Sequence, residues 1–225
     1  MCGIVGIYLK TKKFEKNLGK MLSGMLNNME SRGPDSAGFA IYTKEEKSKY
    51  KYSICLNKLT DAEFKKRLSK DLKKVKVKKF SDHVVLETTD KPKKVLKFLK
   101  EKLSEVSLVG YGKCINIFKQ TGRPSDIVKN FSLSSFSGSH GIGHTRMATE
   151  SAITTEGSHP YSTAEDECLV HNGSLSNHNN IRRVLVKKGE IFSSENDTEV
   201  AAGYCLLYTS PSPRDVEESR IPGCG

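Results

Sequence analysis

The chain has 225 residues, 36% of them hydrophobic and 28% charged, which allows one domain with a sizeable core and excludes a disordered polypeptide. No apolar run approaches the ~18 residues of a membrane span, and no basic stretch precedes a long apolar one as in a secretory signal, so a cytoplasmic protein is expected. The formal charge of +11 is concentrated between Lys44 and Lys102, where 19 lysines stand almost without interleaved aromatics, so solvated faces are expected rather than a nucleic-acid or membrane partner.

The chain opens Met1-Cys2-Gly3-Ile4-Val5-Gly6-Ile7. If Met1 is removed, Cys2 carries a thiol and a free α-amine, a nucleophile and a general base on one residue. Their reference pKa values, about 8.5 and about 7.7–8.0, lie close to working pH. Taken alone, such a start is more often an incidental small residue at a terminus. Ile4 to Tyr8 reads as a strand. Phe14, Leu18, Met21, Leu22, Met25, Leu26 and Met29 recur at helical spacing and predict one apolar helix face, core rather than cofactor site. Ser31-Arg32-Gly33-Pro34-Asp35 ends that helix, and Phe39 to Tyr42 reads as a second strand.

From Thr43 to about Ser139 sharp motifs are lacking. Strands are expected at 50–56, 84–87 and 114–118, and helices around Phe64–Leu72, Val95–Leu103 and Pro124–Phe131. The alternation predicts a small α/β insertion over roughly 43–139. Gly141 to Thr149 then reads as a strand delivering Arg146 and Thr149 into a loop. Cys168 to Gly173 is a strand ending in a turn, Ile181 to Lys188 a helix, and Asn196-Asp197-Thr198-Glu199 a helix start with Asp or Thr available as the cap. The six cysteines form no C-x-x-C pair, so reduced thiols and no structural metal are expected. Cys205 to Asp215 interrupts the helix begun at Thr198 and resembles a translated sequencing adapter. Residues 2–204 are therefore expected to be the natural domain, cut short at its C-terminus, and 205–225 a non-native tail.

The stretches MCGIVGI, RGPDSAG, GHTRMAT, HNGSLSN and NDTEV occur in the order found in class II glutamine amidotransferases, and the chain resembles that family from Cys2 to Val200. IFKQTGRPSDI and HTRMATESAITTEGSHP make it most similar to the stand-alone glutaminase subunit of glutamate synthase-like enzymes, N-methylglutamate synthase included. The resemblance implies an α+β fold, the four-layer αββα sandwich of N-terminal-nucleophile hydrolases. It implies hydrolysis of L-glutamine through a Cys2 thioester, with ammonia passed to a synthase partner subunit and no cofactor. Asn172 and the Gly173 N–H would form the oxyanion site. Arg146 and Thr149 would hold the substrate α-carboxylate and Asp197 its α-ammonium, with Arg32 and Asp35 supporting the nucleophile strand. Each has a plainer reading: a lone Arg is usually a surface ion pair, an Asn-Gly a turn, an Asp before Thr a helix cap. His144 and His171 are expected to be structural.

Two alternatives stay open. The domain could serve another amidotransferase, such as amidophosphoribosyltransferase or glucosamine-6-phosphate synthase. A different class that also begins Met-Cys-Gly traps abasic DNA; RGPDSAG, HNG and the absence of tryptophan argue against it. A chain ending near Tyr204 would lack later strands of the sandwich, so the polypeptide is expected to be unstable or inactive even if its parent is an enzyme.

Overall fold

The computed structural model describes residues 2–68, 71–148 and 152–208. Two four-stranded antiparallel sheets and a hairpin carry six α-helices among the described residues. The strands are β1 (Gly3–Tyr8), β2 (Ser36–Tyr42), β3 (Tyr50–Cys55), β4 (Lys76–Phe80), β5 (His83–Thr88), β6 (Ser107–Gly112), β7 (Ile115–Thr121), β8 (His140–Arg146), β9 (Tyr161–Ala164) and β10 (Glu167–Leu169). The helices are α1 (Leu18–Asn28), α2 (Asp61–Leu68), α3 (Pro92–Lys102), α4 (Pro124–Asn130), α5 (His178–Lys187) and α6 (Asp197–Tyr208).

The first sheet has the order β1-β8-β2-β7 and the second β4-β5-β3-β6. Alternation along each strand sends its side chains to two different layers. In β2, Ala37, Phe39 and Ile41 join Leu18, Leu22 and Leu26 of α1 and Ile127 and Val128 of α4 in one core. Ala40 points the other way and meets Ile115, Ile117, Cys55 and Val109 between the sheets. Tyr52, Ile54, Val84 and Leu86 of the second sheet bury against Phe64, Leu68, Val95 and Leu99 of α2 and α3. The layers therefore run helix, sheet, sheet, helix. That is an α+β architecture compatible with the expected sandwich.

Residues 43–139 supply the whole second sheet with its helices, and β7 and α4 of the first layers. The Ile117 N–H donates to Ser53 Oγ at 3.0 Å, tying β7 to β3 of the other sheet. Three strands not expected from the sequence are β4, β6 and β9. In β4, lysines at alternate positions conceal the pattern; the strand lies at a sheet edge, where lysines discourage pairing with another chain.

The helix expected from Phe14 begins at Leu18, after a 3-10 turn over Lys12–Asn17, and Phe14 is left exposed. Close backbone contact sets that start: a Cβ on Gly19 would lie 2.1 Å from the Leu133 carbonyl oxygen. The expected interruption at Cys205 is not found, because α6 runs on to Tyr208; residues 209–225 lie outside the described residues. Among the described residues no helix is long and apolar enough to cross a membrane.

Candidate active site

Strand pairing brings the start of the chain to the end of β8. Gly3 pairs with Thr145 and Ile4 with His144. A Cβ on Gly3 would approach Thr145 Oγ1 to 2.8 Å, so glycine here lets β1 lie close and sets Cys2 beside the chain leaving Arg146. The Cys2 thiol lies 3.8 Å from the Met147 carbonyl oxygen.

The turn after β10 closes over the same place. Asn172 Nδ2 donates to the Cys2 carbonyl oxygen at 3.1 Å. A Cβ on Gly173 would come within 2.9 Å of His171 Nε2, so a larger residue there would have to displace the imidazole. His144, fully buried in β8, donates from Nε2 to the His171 carbonyl oxygen at 2.9 Å and anchors the turn to the first sheet. That bond fixes the Nε2–H tautomer and gives His144 a structural role. His171 itself faces the cleft, with Nδ1 3.4 Å from Thr198 Oγ1.

A cleft of about 690 Å³ is lined by Cys2, Arg146, Asn172, Gly173 and Asp197 together. Five of the eight residues singled out from the sequence thus meet in one place. Asp35 stands behind the lining: its N–H donates to the Arg146 carbonyl oxygen at 3.1 Å, and its Oδ2 accepts from the Ala148 N–H at 2.8 Å. The Arg146 carbonyl and the chain that follows it are thereby pinned. Arg32 is exposed on the 3-10 turn Glu30–Arg32 and is not part of the lining. Thr149 lies outside the described residues.

The cleft carries charge of both signs. Arg146 is 5% exposed, and its Nη1 donates to the Ala152 carbonyl oxygen at 3.1 Å. Asp197 accepts from the Leu175 N–H at 2.7 Å through Oδ2. The α6 cap is Asn196, neither Asp197 nor Thr198: its Oδ1 accepts from the Thr198 N–H at 2.9 Å while its Nδ2 donates to the Gly157 carbonyl oxygen at 3.2 Å. Arg182 clamps the preceding turn through the Ser194 and Asn196 carbonyls.

Sequence reasoning missed His159, Arg182 and Asn196, which all line the cleft. His159 is buried and stacks on His144 at 4.0 Å between ring centroids. Burial pushes His144 down to about 4 and His159 down to about 2, so both are neutral at working pH. Only the Asn before Asp197, in a helix-start pattern, gave a signal for Asn196. Away from the cleft, on the second sheet, Cys55, Asp82 and His83 each bring a ligand-type atom within 4.8 Å of the others. Their local bonds are His83 Nδ1 to Asp82 Oδ1 at 2.8 Å and Cys55 Sγ to Asn57 Oδ1 at 3.2 Å.

A layered α+β chain gathers a thiol, an Asn-Gly turn, a buried arginine and an aspartate around one cleft, reactive and charged groups of the types an enzyme site uses. Comparison with known proteins places that class. A family described as the glutamine amidotransferase domain matches residues 128–208. The chain is 47% identical over 207 residues to the glutamine amidotransferase-like protein GlxB of Rhizobium meliloti, covering 91% of this chain and 69% of that protein. It is 28% identical over 219 residues to a putative glutamine amidotransferase of Methanothermobacter thermautotrophicus, covering 91% and 71%. Over 116 residues it is 37% identical to the glutamine–fructose-6-phosphate aminotransferase of Methanococcus maripaludis, covering 48% of this chain and 19% of that protein. The chain belongs to the glutamine amidotransferase family.

Proposed function

We propose that the protein is a class II glutaminase of the N-terminal-nucleophile type, acting through Cys2 after loss of Met1. The Cys2 sulfur attacks the side-chain carboxamide carbon of L-glutamine, and the thiol proton passes to the α-amine, directly or through a water. Asn172 Nδ2–H and the Gly173 N–H hold the oxyanion. The tetrahedral intermediate collapses to a thioester as the amine returns the proton and ammonia departs. Water then adds to the thioester, the amine accepts its proton, and glutamate leaves as the thiol is restored.

Arg146 takes the substrate α-carboxylate as a planar fork, Asp197 takes the α-ammonium, and Thr149 completes the carboxylate site. Ammonia is delivered to a separate synthase subunit of the glutamate synthase-like kind. The reading rests on one observation: Cys2, Arg146, Asn172, Gly173 and Asp197, brought from four stretches of chain, line one cleft. The test is release of glutamate and ammonia from glutamine, with mass spectrometry of the N-terminus. Turnover with Met1 retained, or undiminished turnover by Cys2→Ala, overturns it.

A further inference from the structure

Lys119 plays no part in the reaction as written, yet it is buried in β7 at 6% exposure, lining a second cavity of about 300 Å³ rather than the cleft. Its ammonium donates to the Glu156 carbonyl oxygen at 3.1 Å and to the Ser158 carbonyl oxygen at 2.8 Å. It also lies 4.3 Å from the centre of the Tyr161 ring. Burying a cation disfavours its charged form unless its donors are satisfied, and here two carbonyls and a ring face satisfy them.

What Lys119 holds is the connection between β8 and β9. The same connection presents the Ala152 carbonyl to Arg146 Nη1 at 3.1 Å and the Gly157 carbonyl to Asn196 Nδ2 at 3.2 Å. Within it, the Ser158 hydroxyl donates to the Thr154 carbonyl oxygen at 2.8 Å and the Gly157 N–H to Thr154 Oγ1 at 3.0 Å, so residues 154–158 are tied to one another. Asn196 in turn caps α6, whose first residue is Asp197. One ammonium thereby braces supports of both Arg146 and Asp197, which line the cleft from different elements.

We propose that Lys119 is a positioning residue for substrate binding, holding the 152–158 segment so that Arg146 and Asp197 keep the spacing of an α-amino-acid's two charged groups. The inference rests on reading those two residues as the substrate anchors. It does not require Lys119 to touch glutamine.

The charge on Lys119 gives a signature that packing alone would not. Burial pushes its pKa down to about 8, against the opposing pull of Glu199 on α6, Glu156 on the connection and Cys55 on β3. Tyr161 on β9, Tyr111 on β6, His159 and Glu190 also face it or line the same cavity; burial raises the two tyrosines and lowers the histidine, which leaves those three neutral at working pH. Above pH 8 the group loses its charge and one N–H but keeps two for the two carbonyls, so the wild-type protein should move part of the way toward a variant lacking the ammonium. The terminal amine titrates in both proteins and cancels from their ratio.

The experiment measures glutamine turnover by wild type and Lys119→Met from pH 7 to 9, with alkylation of Cys2 by iodoacetamide as a probe that needs no carboxylate anchor. The expected result is a KM raised about tenfold or more at pH 7, with kcat falling by less and alkylation unchanged. The ratio of the two KM values should shrink as pH rises through about 8. An unchanged KM in an active background overturns the inference. So does an equal loss of kcat and alkylation with no pH-dependent ratio, the mark of general damage. Lys119→Gln repeats the test if the first variant does not fold; if neither folds, the side chain is only structural and the inference fails. Absence of ammonia release by wild type would instead defeat the proposed function itself.

Discussion

Asn172 carries two N–H groups on one nitrogen, and one of them is committed to the Cys2 carbonyl oxygen at 3.1 Å. That bond ties Asn172 to the backbone of the proposed nucleophile and leaves its second N–H free to serve the proposed oxyanion site. We predict that Asn172→Ala lowers kcat by roughly 10²–10³, a loss of about 2.7–4 kcal/mol of transition-state stabilisation, with little change in KM. A KM effect as large as the kcat effect would mean that Asn172 binds the ground state instead. The stacked pair His144 and His159 makes a second residue-scale prediction, with a definite sign. Both are held neutral, at about 4 and about 2, below the ordinary histidine value of 6.5. The unfolded chain takes up protons below pH 6.5 that the folded chain refuses, so the stability is full above that pH. It is lost as pH falls towards 4, by about 3 kcal/mol from His144 alone. Calorimetry from pH 7 to 4.5 should show a falling Tm, and His144→Gln should flatten the slope. The sequence carried Cys2, Arg146, Asn172 and Asp197 because each stands in a short motif of reactive residue types. It hid His159, Lys119 and Asn196 because their roles depend on where the β8–β9 connection returns, and no local pattern encodes that.

At the scale of elements, the turn Arg32-Gly33-Pro34-Asp35 shows how a motif without chemistry of its own serves the cleft. It ends the α1 region and lies against β8, where a Cβ on Gly33 would meet Thr145 C at 2.4 Å and Arg146 N at 2.6 Å. Those are backbone atoms of a paired strand and cannot swing aside as a side chain could. Gly33→Ala is expected to push the turn off β8, breaking the Asp35 contacts to Arg146 and Ala148, and to raise KM along with a lower Tm. A variant with wild-type KM would show that the turn is not what aligns Arg146. The cap of α6 is a separate test. Asn196→Ala removes both the Thr198 N–H acceptor and the donor to Gly157, for a loss of about 1–2 kcal/mol in urea unfolding and a weaker hold on Asp197. Elements with a clean period were legible: α1, β2, β3, β5, α3 and β7 fall within a few residues of their expected positions. Of those missed, β9 is short, β4 is lysine-masked, and β6 carries two glycines that blur its pattern. β4 reads Lys-Val-Lys-Lys-Phe, in which exposed lysines outnumber its half-buried Val77 and Phe80. Val77 packs on the second-sheet core and Phe80 on that of the first sheet, so no single apolar face marks the strand in the sequence.

Over the whole molecule, charge and chemistry are segregated. Residues 44–102 hold 19 lysines and Arg67 against nine acidic residues, a surplus of +11 that equals that of the entire chain. The remaining residues balance, and they include every part of the cleft lining. The surplus therefore sits on the second sheet with α2 and α3, where exposed pairs such as Lys65–Asp61 and Lys94–Asp90 neutralise only part of it. Like charges at these spacings repel through water over about a Debye length, roughly 10 Å at 0.1 M salt. Salt should therefore stabilise the fold without touching substrate binding, since glutamine is zwitterionic and the anchors proposed for it lie in the balanced part. We predict that raising sodium chloride from low to physiological levels lifts Tm by roughly 2–4 °C while KM stays constant. Replacing the exposed Lys76, Lys93 and Lys100 by Gln should raise Tm at low salt and shrink the salt response. If Tm falls with salt instead, exposed ion pairs outweigh the repulsion. If KM moves with salt, the lysine face and the cleft are electrostatically coupled, and the separation of layers that keeps them apart is incomplete.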